Sequence, residues 1–301
     1  MAMGEDLCNH RAEPAGACNA VEDLRRRLGR KTRTACAPVP LPAPSKKALC
    51  PDGHTPNLPP GREQRSADGM SLYVLEQRVA ERQPDLSGAF SKTLSTPGSG
   101  LWVELSRLGL AGRLSPADLV FLDLETTGLN CAPVFLLGVL LWESDGLVVR
   151  QFFARNYAEE RAVLSRSLEL LSASKLWVSF NGKSFDLPFL RTRAAAAGLP
   201  WELERPHLDL LHAARRAWKG RWPDCRLQTL ERRLCGRARK DDIPGAEIPD
   251  AYHAFVRTGN AASMAAVLRH NRQDLVTLAE LLVRLPPPPD TALLAGLPRG
   301  P

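Results

Sequence analysis

Acids carry the clearest chemical potential in this chain. In VFLDLETTG, Asp123 and Glu125 are two apart, so an extended strand sends both to one face and Val120, Leu122 and Leu124 to the other. Two like charges at the mouth of a strand are costly unless something positive lies between them. A hard divalent cation with oxygen ligands suits that place. Read alone, the pair is equally two solvated acids. NGKSFDLPFL adds Asp186 in the first turn of a helix that follows the apolar strand LWVSF, where it reads either as a ligand or as a dipole-stabilising acid. HNRQDLVTLAELL adds His270 and Asp274, four apart on one helical face, with Leu275, Leu278, Leu281 and Leu282 as the buried stripe. Each residue singly has a structural reading. Four acids and one histidine at element ends that one topology can gather point instead to hydrolytic metal chemistry.

The elements that must position them are legible. Strands are expected over 119–125, 134–142 and 147–154, joined by turn residues and forming a three-stranded antiparallel start. A helix over 158–171, a fourth strand over 176–180 and a helix over 184–197 opened by Ser184 follow. Helices over 208–218, 227–234, 249–258 and 261–285 complete the order, which is that of an α/β, ribonuclease H-like mixed sheet flanked by helices. The domain spans 119–285. Before it, 69–118 reads as short helical segments docking on the core, with 70–82 helical through apolar residues at 72, 74, 75 and 79. Residues 1–68 read as a disordered, proline-rich basic tail and linker, and 286–301 as a disordered tail opening on four prolines.

Composition bounds the rest. Hydrophobic residues at 44% and charged residues at 24% exclude fibrous, collagen-like and wholly disordered classes. The apolar run PVFLLGVLLW is about half the length that crosses a bilayer, so it is a buried strand. The first residues hold acids where a secretory signal needs an apolar stretch, so a cytoplasmic protein is expected. Seven cysteines without a CxxC pair read as reduced thiols. The net charge of +7 is concentrated: positions 215–240 hold ten basic residues against two acids, an excess of eight. Arg215, Arg216, Lys219 and Arg221 are interleaved there with Trp218 and Trp222, which suits a single strand, phosphates on the cations and bases on the rings. The alternative is that Trp218 anchors a helix while the arginines face water. Asp209, Asp241 and Asp242 read as structural acids, in a helix start and a turn.

The order DLE, NGKSFD, HNRQD resembles the DEDD superfamily of 3′ to 5′ exonucleases, and the middle motif is similar to that of proofreading domains of B-family DNA polymerases. Through FLDLETTGL, NGKSFDLPFL, HLDLLHAARRAWKGRW, KDDIPGAEIPDAYHAF and HNRQDLVTL, the chain looks like the YprB-type ribonuclease H-like family, over about residues 115–285. The resemblance implies two ions, Mg²⁺ or Mn²⁺, with Asp123 bridging them, Glu125 and Asp274 completing the first site and Asp186 holding the second through water. His270 takes the place of the residue that orients or deprotonates the attacking water. By the same resemblance Thr126, Thr127 and Leu129 contact the terminal nucleotide, and Asn181 and Phe185 line the strand path. The HxxxD spacing is that of the tyrosine subtype; the histidine subtype places its histidine one residue further away. A two-metal 3′ to 5′ exonuclease on single-stranded DNA or RNA is therefore expected, with no membrane partner and no small-molecule cofactor. A catalytically weak nucleic-acid-binding module and a structure-selective endonuclease are the alternatives on this fold.

Overall fold

Alternation after Pro116 and the apolar run after Pro133 produce two neighbouring strands near the middle of the sheet, β3 (Leu119–Thr126) and β4 (Val134–Glu143). The protein was studied as a computed structural model that describes residues 58–129 and 132–287. The expected tail over 1–57 and the segment 288–301 lie outside the described residues. A tight turn at Ser144 and Asp145 returns the chain as β5 (Gly146–Phe153). β1 (Arg62–Arg65) and β2 (Ser71–Arg78) extend that antiparallel side, while β6 (Leu176–Ser179) and β7 (His207–Asp209) add parallel strands beyond β3. The sheet runs β1-β2-β5-β4-β3-β6-β7. The α/β mixed sheet flanked by helices expected from the sequence, antiparallel on one side and parallel on the other, is the fold observed.

Two expectations on the N-terminal side are corrected. Residues 70–82 do not form a helix, because Leu72 and Val74 alternate and, with Leu75, bury while β2 pairs along β5. An open β5 edge would leave unpaired N–H and C=O groups, and satisfying them outweighs a short helical pattern. Arg62–Arg65, assigned to the tail by composition, is the strand paired to β2.

The helices are α1 (Leu86–Ser95), α2 (Gly100–Arg107), α3 (Glu160–Ala173), α4 (Asp186–Ala196), α5 (Leu210–Trp218), α6 (Leu227–Leu234), α7 (Ile248–Thr258) and α8 (Met264–Val283). The segment expected to be helical from 208 begins as β7, and α4 begins at Asp186 rather than Ser184. Val120, Leu122 and Leu124 enter the core shared with α3 and α7, whereas Leu119 and Phe121 enter the core shared with α8. Asp123 and Glu125 therefore project on the α8 side. Leu275, Leu278, Leu281 and Leu282 of α8 are buried there, each contributing about 1.5–3 kcal/mol relative to exposure. That packing fixes the rotation of α8, and with it the direction of Asp274. No described helix is long and apolar enough to cross a membrane.

Candidate active site

The floor of the site is a cross-section through three strands. In the ladder Asp123 lies opposite Gly138, and Gly138 opposite Gln151. A Cβ at Gly138 would fall 2.0 Å from Oδ1 of Asn271, so only glycine lets this α8 side chain descend onto the sheet. Once there, the Asn271 amide donates to the carbonyl of Asp123 at 3.1 Å and to its Oδ2 at 2.8 Å, and its Oδ1 accepts from Gln151 at 2.8 Å. Asn271 is fully buried. It fixes the Asp123 carboxylate by a contact 148 residues away in sequence.

Two acids at neighbouring helix starts show how local wiring separates structure from chemistry. Asp209 accepts from the amides of Asn181 at 2.8 Å, Lys183 at 3.1 Å and Leu211 at 3.0 Å. Its oxygens are satisfied, and it holds the loop after β6 in shape. That loop turns through Asn181 at φ 65° and passes so close to Ser179 that a Cβ on Gly182 would lie 2.2 Å from the Ser179 hydroxyl. The loop delivers Asp186, whose Oδ1 accepts from Leu124 N–H at 3.2 Å, beside the first two acids. Burial pushes Asp186 up to about 7, against the hydrogen bonds of its own and the Leu124 N–H.

The acids share one field. Burial first, then the charges of Asp274, Glu125 and Asp186, hold Asp123 well above the ordinary carboxylate range. Burial likewise raises Glu125, with Asp274, Asp186 and Asp242 adding to it. Asp274 is raised by burial although Arg239 and His270 oppose the shift. Arg239 is the cation among them: its side chain is 6% exposed, and it bonds Glu231 at 2.6 Å, Asp242 at 3.2 Å and Asp274. His270 lies between two carboxylates, with Nδ1 2.9 Å from Asp242 and Nε2 3.5 Å from Asp274. Among the described residues no three His, Cys, Asp or Glu side chains already stand as a metal-holding group. Arg239 and Asn271 occupy oxygens that an ion would use. The donor set nevertheless fits divalent metal: one buried and three half-buried carboxylates, hard oxygens and mutual repulsion that a cation relieves.

A family model described as RNase_H superfamily matches residues 120–286, more than half of the chain. The chain belongs to the RNase_H superfamily. It is 31% identical over 239 residues to the protein YprB of Bacillus subtilis (strain 168), covering 75% of this chain and 58% of that one. The chain thus spans little more than half of that relative's length. It is also similar to the family B DNA polymerase of the hyperthermophilic archaeon Pyrobaculum calidifontis, over 54% of this chain and 24% of the polymerase, at 19% identity and a TM-score of 0.45.

The remaining expected residues of this RNase_H domain divide. A groove of about 820 Å³ is lined by Asp123, Asn181, Arg215, Lys219, Trp222 and Asp274 among others. The basic segment therefore borders the acids directly. Trp218 is removed from that wall: it is 3% exposed and packs into the α8-side core, so its ring cannot stack on a base. Arg216 pairs with Glu104, and Arg221 is exposed and lines no part of the groove. Thr126 and Thr127 are buried, the Thr126 hydroxyl donating to Gly128 at 2.8 Å, whereas Leu129 is 76% exposed. Phe185 is half-buried against Phe189, at 5.3 Å between rings. Sequence reasoning missed Asn271, Arg239 and Glu231, and it read Asp242 as turn chemistry. Asn271 stands inside the quoted HNRQD; the others carry no spacing signal, since each acts through contacts made only in the fold.

Proposed function

We propose that this RNase_H-superfamily protein is a metal-dependent 3′ to 5′ exonuclease acting in the cytoplasm on single-stranded DNA or RNA. The observation that supports this reading is that Asp123, Glu125, Asp186 and Asp274 act on one another's charge, with Asp123 and Asp274 lining a groove that Arg215, Lys219 and Arg226 also line. Asp123, Glu125 and Asp274, with Asp186, are the residues that would hold two Mg²⁺ or Mn²⁺ ions, which when bound supply charge to a phosphate and acidity to a water. Asn271 keeps the Asp123 carboxylate in one orientation. Asp242 holds His270 through Nδ1, which leaves Nε2 on the Asp274 side as the atom that takes or returns a proton. Arg215 and Lys219 attract the backbone, and the half-buried Trp222 offers a ring on which a base gains about 1–3 kcal/mol by stacking.

A second reading, a strand-binding module with feeble catalysis, draws on the Arg239 guanidinium already lying against Asp274. One assay separates them. An end-labelled single strand, as DNA and as RNA, is incubated with Mg²⁺ or Mn²⁺ and either wild type or Asp123→Asn. Stepwise shortening from the 3′ end, reduced on the order of 10³-fold or more in the variant, is the expected result. Internal cuts would indicate an endonuclease. Binding without products would indicate the module.

A further inference from the structure

Helix α8 has a second polar face. Arg269, Arg272, Gln273 and Val276 follow helical spacing and turn away from His270, Asn271 and Asp274. Opposite them the end of β2 supplies Gln77 and Arg78, and the following turn supplies Val79, Arg82 and Gln83. A cavity of about 300 Å³ lies between, at the lower end of the range for small-ligand sites.

Its lining holds five arginines and no carboxylate. Two have their own counter-ions: Arg78 pairs with Asp145 at 3.0 Å, and Arg237 with Glu231 at 3.2 Å and with Glu280. Arg82, Arg269 and Arg272 meet no carboxylate at ion-pair distance among the described residues. Arg269 donates to the Asp241 carbonyl at 2.9 Å and Arg272 to the Gln77 side chain. Such a grouping of like charges, Arg82 and Arg269 exposed and Arg272 half-buried, lacks an anion.

We propose that this cavity is a phosphate-binding pocket in which Arg82, Arg269 and Arg272 grip the phosphate of a nucleotide or of a nucleic-acid strand. Guanidinium forks match the several oxygens of a phosphate, which also satisfies more donors than a carboxylate can. Val79, Val149 and Val276 give an apolar wall for a sugar or base. The two phosphate sources share this chemistry. A strand is within reach because the cavity shares Arg237 with the hollow in front of α6, and that hollow shares Arg226 with the groove over Asp123.

The site does not rest on the catalytic reading, and its test is run without divalent metal. The full chain in EDTA is titrated calorimetrically with adenosine monophosphate and, separately, with a homopolymeric single strand long enough to span both cavities. Arg272→Gln is expected to weaken phosphate binding at least about tenfold, as loss of a charge-assisted hydrogen bond does. Arg82→Gln, at an exposed position that cannot unfold the protein, is expected to weaken it about three- to tenfold. Loss confined to the monophosphate assigns the pocket to free nucleotides; loss confined to the strand assigns it to a backbone phosphate. No saturable binding of either probe, or affinities within twofold of wild type in both variants, overturns the proposal.

Discussion

The two flanks of α8 carry opposite electrical imbalances. On one, Asp123, Glu125, Asp186 and Asp274 repel one another with Arg239 as the cation among them. On the other, Arg82 and Arg269 repel Arg272 beside a cavity lined by no carboxylate. The helix separates them by spacing alone, residues 270, 271 and 274 to one side and 269, 272, 273 and 276 to the other. Neither grouping helps the chain fold. Local violations of folding logic concentrate where a ligand of opposite charge belongs, so the pair of flanks reads as one helix serving two kinds of ligand.

The comparison breaks most visibly at Arg239. Arg239→Gln removes the guanidinium shared by Glu231, Asp242 and Asp274 and is expected to cost about 3–5 kcal/mol in urea unfolding with chelator present. Adding Mn²⁺ should recover part of that loss, because a bound cation takes over the neutralising role. Arg272→Gln on the opposite flank should leave stability within about 0.5 kcal/mol of wild type, since it relieves repulsion as it removes contacts. Equal losses in the two variants would mean that the flanks do not differ in this way.

A smaller effect sharpens the account of the acid flank. Gly138→Ala is expected to cost about 1–3 kcal/mol, because the new methyl group meets the doubly bonded, fully buried Asn271 rather than a yielding surface side chain. In an Asn271→Ala background the same substitution should cost much less. Additive costs in that double-mutant cycle would detach Gly138 from the positioning of Asp123.

What the sequence disclosed follows the range of the forces involved. Strand alternation gave Asp123 and Glu125 one face, and helical spacing gave His270 and Asp274 another, since both are set by backbone geometry within a few residues. The strand character of β2 stayed hidden because Leu72, Val74 and Leu75 fit two periods, and only the waiting edge of β5 chooses between them. Asp242 looks like turn chemistry until α8 brings His270 to 2.9 Å. Trp218 and Trp222 share one composition signal, yet only packing decides that the first is core and the second faces the groove. Arg239 has only Asp242 nearby in sequence, and its meaning lies in Glu231 and Asp274, which reach it from 8 and 35 residues away.

The smallest expected effect concerns protons. Asp186 and His207 both feel the charge of the satisfied Asp209, and burial shifts both against their charged forms, Asp186 up to about 7 and His207 down to about 4. Folded Asp186 therefore binds a proton that the unfolded chain has released, so its contribution is present at low pH and is lost as pH rises towards 7. Folded His207 refuses a proton that the unfolded chain accepts below about 6.5, so its contribution is present above that pH and is lost on acidification. Between pH 7 and 6, without divalent metal, the two terms oppose each other, each at about 1 kcal/mol or less. His207→Gln should then make stability rise on going to pH 6, and Asp186→Asn should make it fall, as read from urea midpoints. The same midpoints with Mg²⁺ present should lose the Asp186 term, because a cation beside the carboxylate stabilises the charged form that burial had penalised. An Asp186 term unmoved by Mg²⁺ would separate this acid from the other three.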